Sequence, residues 1–462
     1  MRSVNKIVIV GGGTSGWSAA AYLSKFFDIT LINKENDGRV GVGEATLLNF
    51  ASFMKSCGFP IEHWINEIDA TYKSGILFQN WNKEGHDIWH PFLDSSFGKN
   101  KSNIVDLWSK CQDLDFKTYA CGLYELSMNR EINSDYLNNS YAFHVYCNLL
   151  VEFFQKHLGS HINYIQSEVT NIIRNNDGSI KELTLANQQI ISGDLYLDCT
   201  GFKRLLSHDS NLISLRNRLF CDTAIATHVQ YKNDDSEINP YVICDAVDHG
   251  WIWHIPTQSR LGTGLVFNRD ITSIQEAKEY FVNYWDSRIT IDTMKVLNWT
   301  PYYDEKFWNN NVVSIGLSAG FIEPLESTGL ALIFGGIQQL YNQIKANKYH
   351  SSDIGIYNSI MRHMFETSID FINMHYYNSQ RGGKFWDYVR NKHVMNETHK
   401  HYVDEMLSPI LNTKFYNSMF NKFNWYTWMI QLGHTIIPKT DGISSDQARF
   451  YLEEFYQKTN KL

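Results

Sequence analysis

The sequence predicts an α/β fold in which a nucleotide-binding domain of largely parallel strands carries an added helical module. Three observations lead there. A strand–helix–strand unit opens the chain around a glycine-rich turn. Two later strands run into glycine loops, one through Asp198 to Gly201 and one to Gly316. Past about Ile356 the strand pattern gives way to helices rich in Tyr, Trp, Phe and Asn. At 462 residues the chain has room for one large or two to three ordinary domains. With 43% hydrophobic and 19% charged residues it reads as soluble and globular. A net charge of −8 excludes a broad nucleic-acid surface. No apolar run reaches the ~18 residues of a membrane span. The seven cysteines stand singly with no C-x-x-C pair, which fits a reducing compartment. The segment Met1 to Lys6 runs straight into a strand without a signal-peptide pattern, so a cytoplasmic protein is expected.

The elements follow in order. Lys6–Val10 is a short apolar run of the buried-strand type, and Gly11-Gly12-Gly13-Thr14-Ser15-Gly16 follows it. A helix through Trp17 to Leu23 and a strand over Ile29–Ile32 complete the βαβ frame that a G-x-G-x-x-G turn needs to bind a dinucleotide. Gly11, Gly13, Thr14, Ser15 and Gly16 are therefore candidate cofactor contacts, with the pyrophosphate on the helix N-terminus. The acid that usually ends the second strand is replaced by Asn33-Lys34-Glu35, where Glu35 is either a displaced ribose ligand or a loop charge.

A second glycine-rich loop, Gly41-Val42-Gly43-Glu44-Ala45-Thr46, permits close backbone approach to a ligand through Gly43, Glu44 and Ala45. In Ala70–Trp81 a lone lysine, Lys73, stands among small and apolar residues. Ile180 to Asp198 reads as paired strands, and Asp198-x-x-Gly201 is a familiar second contact of FAD-binding two-dinucleotide-fold (flavin monooxygenase-like) enzymes. In Gly250–Pro256 alternation puts Trp251 and Trp253 on one strand face. A further strand, Asn311 to Gly316, leads to Phe321-Ile322-Glu323-Pro324-Leu325-Glu326-Ser327-Thr328-Gly329. Leu330, Ile333, Ile337, Leu340 and Ile344 then recur at helical spacing. The amides of Thr328 and Gly329 open that helix, where the dipole favours an anion. His399 and His401 read as solvated helix residues, so no metal site is expected. The expected domains are residues 1–80 and 140–345 for FAD, and residues 81–139 and 346–462 for a mainly helical substrate module.

Together these motifs resemble the flavin-dependent halogenases, and most closely the tryptophan-halogenase branch. The resemblance runs from Ile7 to about Gly433 and rests on G-V-G-E-A-T at Gly41–Thr46, the Tyr72-Lys73 pair with Asn80-Trp81, H-x-F at His90–Phe92, W-x-W-x-I-P at Trp251–Pro256, and F-x-x-P-x-x-S-x-G at Phe321–Gly329. It implies reduced FAD as cofactor and a chloride or bromide ion held by Thr328 and Gly329. It implies Lys73 as the residue that receives hypohalous acid, and Glu326 as the carboxylate that takes the arene's proton. Ser327 would help polarise the reagent, and His90 and Phe92 would sandwich an indole beyond a wall of Trp251 and Trp253. Since no second nucleotide fingerprint stands for NADPH, a separate NAD(P)H-dependent flavin reductase is the expected partner. Family analogy adds a homodimer.

The chain departs from the family in two places. Leu47-Leu48 replace the Ile-Pro that often follows the second glycine loop. The segment Leu407–Gln431, which supplies an acid to the amino-acid head of free tryptophan in relatives, contains no Asp or Glu but carries Lys414 and Lys422. Burying an unpaired ammonium there would cost several kcal/mol. The expected substrate is an electron-rich arene, an indole without the free amino-acid head, lying near Trp425 and Tyr426. The competing readings are a halogenase of free or peptidyl tryptophan and an FAD-dependent aromatic monooxygenase.

Overall fold

The computed structural model describes residues 1–34, 44–92, 96–97, 102–132, 141–207, 209–232, 237–410 and 419–460. The chain forms two compact units, residues 1–70, 145–216 and 299–366, and residues 71–144, 217–298 and 367–462.

The first unit is built on a six-stranded sheet in the order Asn163–Gln166, Asp28–Asn33, Lys6–Val10, Leu195–Asp198, Val312–Ser314 and Trp308–Asn309. All neighbours are parallel except the last pair. The strand Lys6–Val10 is almost wholly buried, as a parallel strand covered on both faces must be. Register does the functional work: Asp198 pairs with both Val10 and Ser314, so three strands end in one row. The glycine loops that follow them leave the same carboxyl edge, where open α/β sheets bind ligands. The fingerprint helix Thr14–Leu23 and the helix Thr328–Ile344 join an aromatic seam in which Tyr22 stacks on Phe53 at 5.6 Å and Phe53 on Phe334 at 4.2 Å.

The second unit contains a seven-stranded sheet: Lys295–Asn298, Thr223–Val229, Leu261–Phe267, Gly250–Pro256, Val242–Val247, Gly75–Gln79 and Ile88–Pro91. Helices Lys384–Lys392, Glu397–Met406, Lys422–Gln431 and Ser445–Asn460 belong to this unit too. The division differs from the sequence expectation. Residues 71–80 and 217–298, assigned above to the FAD domain, fall with the helices, and the second unit is not mainly helical. Alternation identifies a strand but not the sheet it joins, because a partner can come from far along the chain, as Gly75–Gln79 pairs with Val242–Val247.

Among the described residues no helix is long and apolar enough to cross a membrane, and no group of three or more His, Cys, Asp or Glu could hold a metal ion. The cysteines are free and buried. His399 corrects the reading of H-x-H: it is fully buried, packed against Tyr377 at 4.7 Å and His434 at 5.7 Å, and burial lowers its pKa to about 3.

Candidate functional site

In the first unit the dinucleotide fingerprint is fixed by close backbone packing. Gly11 has φ +109°, and a Cβ there would lie 2.2 Å from the Cys199 carbonyl oxygen. A Cβ on Gly16 would lie 1.9 Å from the Gly11 carbonyl oxygen, so neither position admits a side chain. Gly13 faces open space, and the helix after it has neither a side-chain cap nor an acid in its first turn. Its first N–H groups are thus available to a phosphate. Gly316, with φ +72°, packs against Ser15, whose Cβ would be 2.8 Å away from an added one. The cradle fits a dinucleotide such as FAD.

Asn33 explains the missing acid: its Oδ1 accepts from the Gly12 amide at 2.8 Å, tying the second strand's end to the fingerprint. Asp198 is fully buried, and its carboxylate accepts six hydrogen bonds from Thr200, Leu206, Ser207 and Ser318. The carboxylate braces the loop through Gly201, which leaves the loop backbone rather than the acid to meet a cofactor. Glu44 accepts from the Cys147 amide at 3.2 Å, and Ala45 is buried beside it. Glu35 and Gly43 lie outside the described residues.

The motif Phe321–Gly329 ends in an unusual turn. Glu326 and Ser327 are both left-handed, with φ of +62° and +59°. Non-glycine residues adopt that region at a cost of order 1–3 kcal/mol each, and such strain clusters at functional sites. The helix that follows starts at Thr328 with no side-chain cap on its N-terminal groups and no acid in its first turn. Gly329 is exposed, and a Cβ there would meet nothing within 4 Å. Thr328 is buried, and its hydroxyl has no hydrogen-bond partner among the described residues. Glu323 and Glu326 are buried carboxylates of the same turn. The arrangement offers an anion two amides and offers a reaction one or two carboxylates.

In the second unit Lys73 lies on the strand Thr71–Lys73, paired to Ala142. It is completely buried. Its Nζ sits 4.4 Å from the centroid of the Phe92 ring, a cation–π distance. Burial and the Lys73 charge hold His144 neutral, well below the usual imidazole range. Ser74 secures the neighbourhood: its amide and hydroxyl donate to the Pro240 carbonyl, and its own carbonyl accepts from the Phe92 amide at 2.8 Å.

His90 and Phe92 do not form a parallel slot. Their centroids are 6.2 Å apart and their planes cross at 82°, so the two rings already touch edge to face. Spacing of two on a strand puts both on one face but leaves ring rotation to the neighbours. Those neighbours are Phe371 at 5.5 Å and Phe420 at 6.4 Å, which sequence reading missed because they come from distant segments. Trp251 and Trp253 share a face at 6.3 Å, and Gly264 in the next strand clears space for the Trp253 indole, as a Cβ there would lie 2.1 Å from it. Both indole N–H groups lack partners among the described residues.

Trp425 and Tyr426 are packed interior residues, Trp425 stacked on Tyr402 at 4.9 Å. The Lys422 ammonium lies over the Tyr426 ring at 4.8 Å. Lys422 also pairs with Asp106 and Glu405, each at 3.1 Å. Lys439 donates to the carbonyls of Glu405, Met406 and Ser408. Thus the carboxylates absent from Leu407–Gln431 are supplied by Asp106 and Glu405, but each already has a lysine nearby. Residues 411–418, including Lys414, lie outside the described residues.

Comparison with known proteins agrees with these motifs. The sequence matches the tryptophan halogenase family over residues 6–447. It is 30% identical over 432 residues to the tryptophan 6-halogenase SttH of Streptomyces toxytricini, covering 85% of this chain and 82% of that protein. The structure matches a flavin-dependent halogenase from Xanthomonas campestris with a TM-score of 0.89 and 27% identity, over 99% of this chain and 95% of that one. A tryptophan halogenase from Shewanella frigidimarina gives a TM-score of 0.90 at 26% identity, over 99% and 94% of the two chains.

Proposed function

The chain belongs to the tryptophan halogenase family and is an enzyme, and on that premise we propose that it halogenates an electron-rich arene with FADH2, O2 and chloride or bromide. The flavin-dependent halogenase neighbours support the cofactor. Gly11, Gly13, Thr14, Ser15 and Gly16 hold its pyrophosphate, with Glu44, Ala45, Gly201 and Gly316 as further contacts. FAD, when bound in reduced form, supplies with O2 the two-electron oxidation that turns halide into hypohalous acid. The amides of Thr328 and Gly329 hold the halide. A separate flavin reductase regenerates the cofactor.

Lys73 receives the hypohalous acid. Its ammonium hydrogen-bonds the oxygen and gives it a proton, so that hydroxide leaves as water as the halogen bonds to the ring carbon, and Lys73 then regains a proton from solvent. Glu326 takes the ring proton from the cationic intermediate and restores aromaticity. His90 and Phe92 contact the arene, and Ser327 polarises the reagent. The observation that carries this reading is that Lys73 is completely buried with its ammonium against the Phe92 ring.

The substrate we favour is an indole without a free amino-acid head. Asp106 and Glu405 already face Lys422 and Lys439, which supports a substrate that brings no ammonium to them. The test supplies the protein with FAD, a flavin reductase, NADH and either halide, against free tryptophan, peptidyl tryptophan, simple indoles and phenols. Mass spectrometry should detect halogen isotope patterns, strongest on the simple indoles. Efficient turnover of free tryptophan would overturn the substrate assignment. Hydroxylated product without halogen would favour the monooxygenase reading.

A further inference from the structure

We propose that Asn424 is a positioning residue that fixes His90 as the neutral imidazole protonated on Nδ1, with Nε2 held as an acceptor. The inference deepens the proposed function and rests on the reading of His90 as an arene contact.

The helix Lys422–Gln431 carries Asn424 in its first turn. Its first turn is closed by a capping box between Asn421 and Asn424. The Asn421 backbone N–H donates to Oδ1 of Asn424 at 2.9 Å. A backbone N–H can only donate, so the atom it meets must be the amide oxygen. That fixes which end of the Asn424 amide is oxygen and which is nitrogen. The other end of the same amide is therefore the NH2 group, and it lies 2.9 Å from Nε2 of His90. An NH2 group cannot accept. Nε2 must then be the lone-pair nitrogen, and the ring proton resides on Nδ1. Turning the amide over would set two donors against each other at both contacts. Protonating Nε2 would do so at one.

The frame that delivers Asn424 is stiff. Oδ1 of Asn421 accepts from the Phe423 amide at 2.9 Å. The next residue, Lys422, is tied to two buried carboxylates. Gln431, at the far end of the same helix, accepts from the Trp89 amide and donates to the Trp89 carbonyl, both at 2.8 Å. One helix thus holds the strand backbone beside His90 and the ring of His90 itself. His90 is fully buried, so water does not compete for Nε2. The chemistry gains from this. Halogenation passes through a cationic ring, and a neutral imidazole beside it avoids the repulsion that an imidazolium would add to Lys73.

The test is nitrogen NMR on protein labelled with 15N at histidine, without arene, with the His90 signals assigned by their loss in His90→Gln. We expect Nδ1 to appear protonated and Nε2 unprotonated. Asn424→Asp keeps an oxygen for the Asn421 amide but turns only oxygen toward His90. It should move the proton to Nε2, or protonate both nitrogens, and raise the arene KM about five- to tenfold with flavin binding unchanged. Protonated Nε2 in the unsubstituted protein, or an unchanged His90 spectrum in Asn424→Asp, overturns the inference. If His90→Gln leaves arene kinetics intact while the tautomer is as stated, the reading of His90 as an arene contact fails instead. If His90→Gln impairs turnover but Asn424→Asp does not, the positioning role fails.

Discussion

In the first unit the groups proposed to meet ligands are backbone amides, set by Gly11, Gly16 and Gly316, which have no room for a Cβ, and by a left-handed turn at Glu326 and Ser327. In the second unit they are side chains: Lys73, His90 and Phe92, placed by a sheet and by helices from the far end of the chain. Backbone sites demand particular residues at consecutive positions. Side-chain sites demand only that partners arrive, from wherever they are encoded. The first kind tolerates almost no substitution at Gly11, Gly16 and Gly316, where a Cβ would clash, and the second can be retuned by a single distant residue such as Asn424.

The comparison can be broken by substitutions that cross it. Lys422→Met leaves Asp106 and Glu405 buried beside one remaining cation. Breaking such a pair costs about 3 kcal/mol or more, so the denaturation midpoint should fall sharply while flavin binding to the folded protein persists. Burial already raises the Asp106 pKa, so part of the loss is relieved by proton uptake. Glu326→Gln is the one side-chain change in the backbone-built unit expected to stop chemistry. Turnover should drop about 100-fold, with halide KM and flavin affinity unchanged, by steady-state kinetics.

Acid should separate the units further. In the second unit burial depresses the pKa of His254 to about 4 and of His399 to about 3. Unfolded histidine titrates near 6.5. The unfolded state therefore binds protons first, and the contribution of these residues is fully present above about pH 6.5 and lost as pH falls toward 4. Hydrogen exchange should find protection in the strands Thr223–Val229 and Gly250–Pro256 weakened at pH 5 relative to pH 8. The smallest effect is expected at Gly329→Ala. Open space accepts the methyl, and alanine favours the helix by up to ~1 kcal/mol. Melting temperature should hold or rise while halide KM increases a few-fold, since the methyl stands beside the amide proposed to meet the ion.

The same contrast explains what could be read from sequence. The fingerprint, its βαβ frame, the strands Ile180–Leu185 and Leu195–Asp198 and the helix after Gly329 were legible because each is local and periodic. The seven-stranded sheet was not, because its neighbours come from segments near residues 75, 245 and 296. Asn33 in place of an acid looked like a gap, yet its amide serves Gly12. His399 looked solvated because H-x-H on a helix carries no signal of depth. The carboxylates facing Lys422 lie at Asp106 and Glu405, outside the segment in which they were sought. Asn424 carried one local clue, the N-x-x-N spacing of a capping box, though nothing in it pointed to His90.

Lys73→Met tests the division of labour most directly. The variant is given FADH2, O2 and bromide, with an indole and, separately, a small-molecule trap for hypohalous acid. The account predicts trap halogenation near the unsubstituted rate and loss of indole product by about 1,000-fold. Indole halogenation at the normal rate, or loss of the trapped product as well, would contradict it.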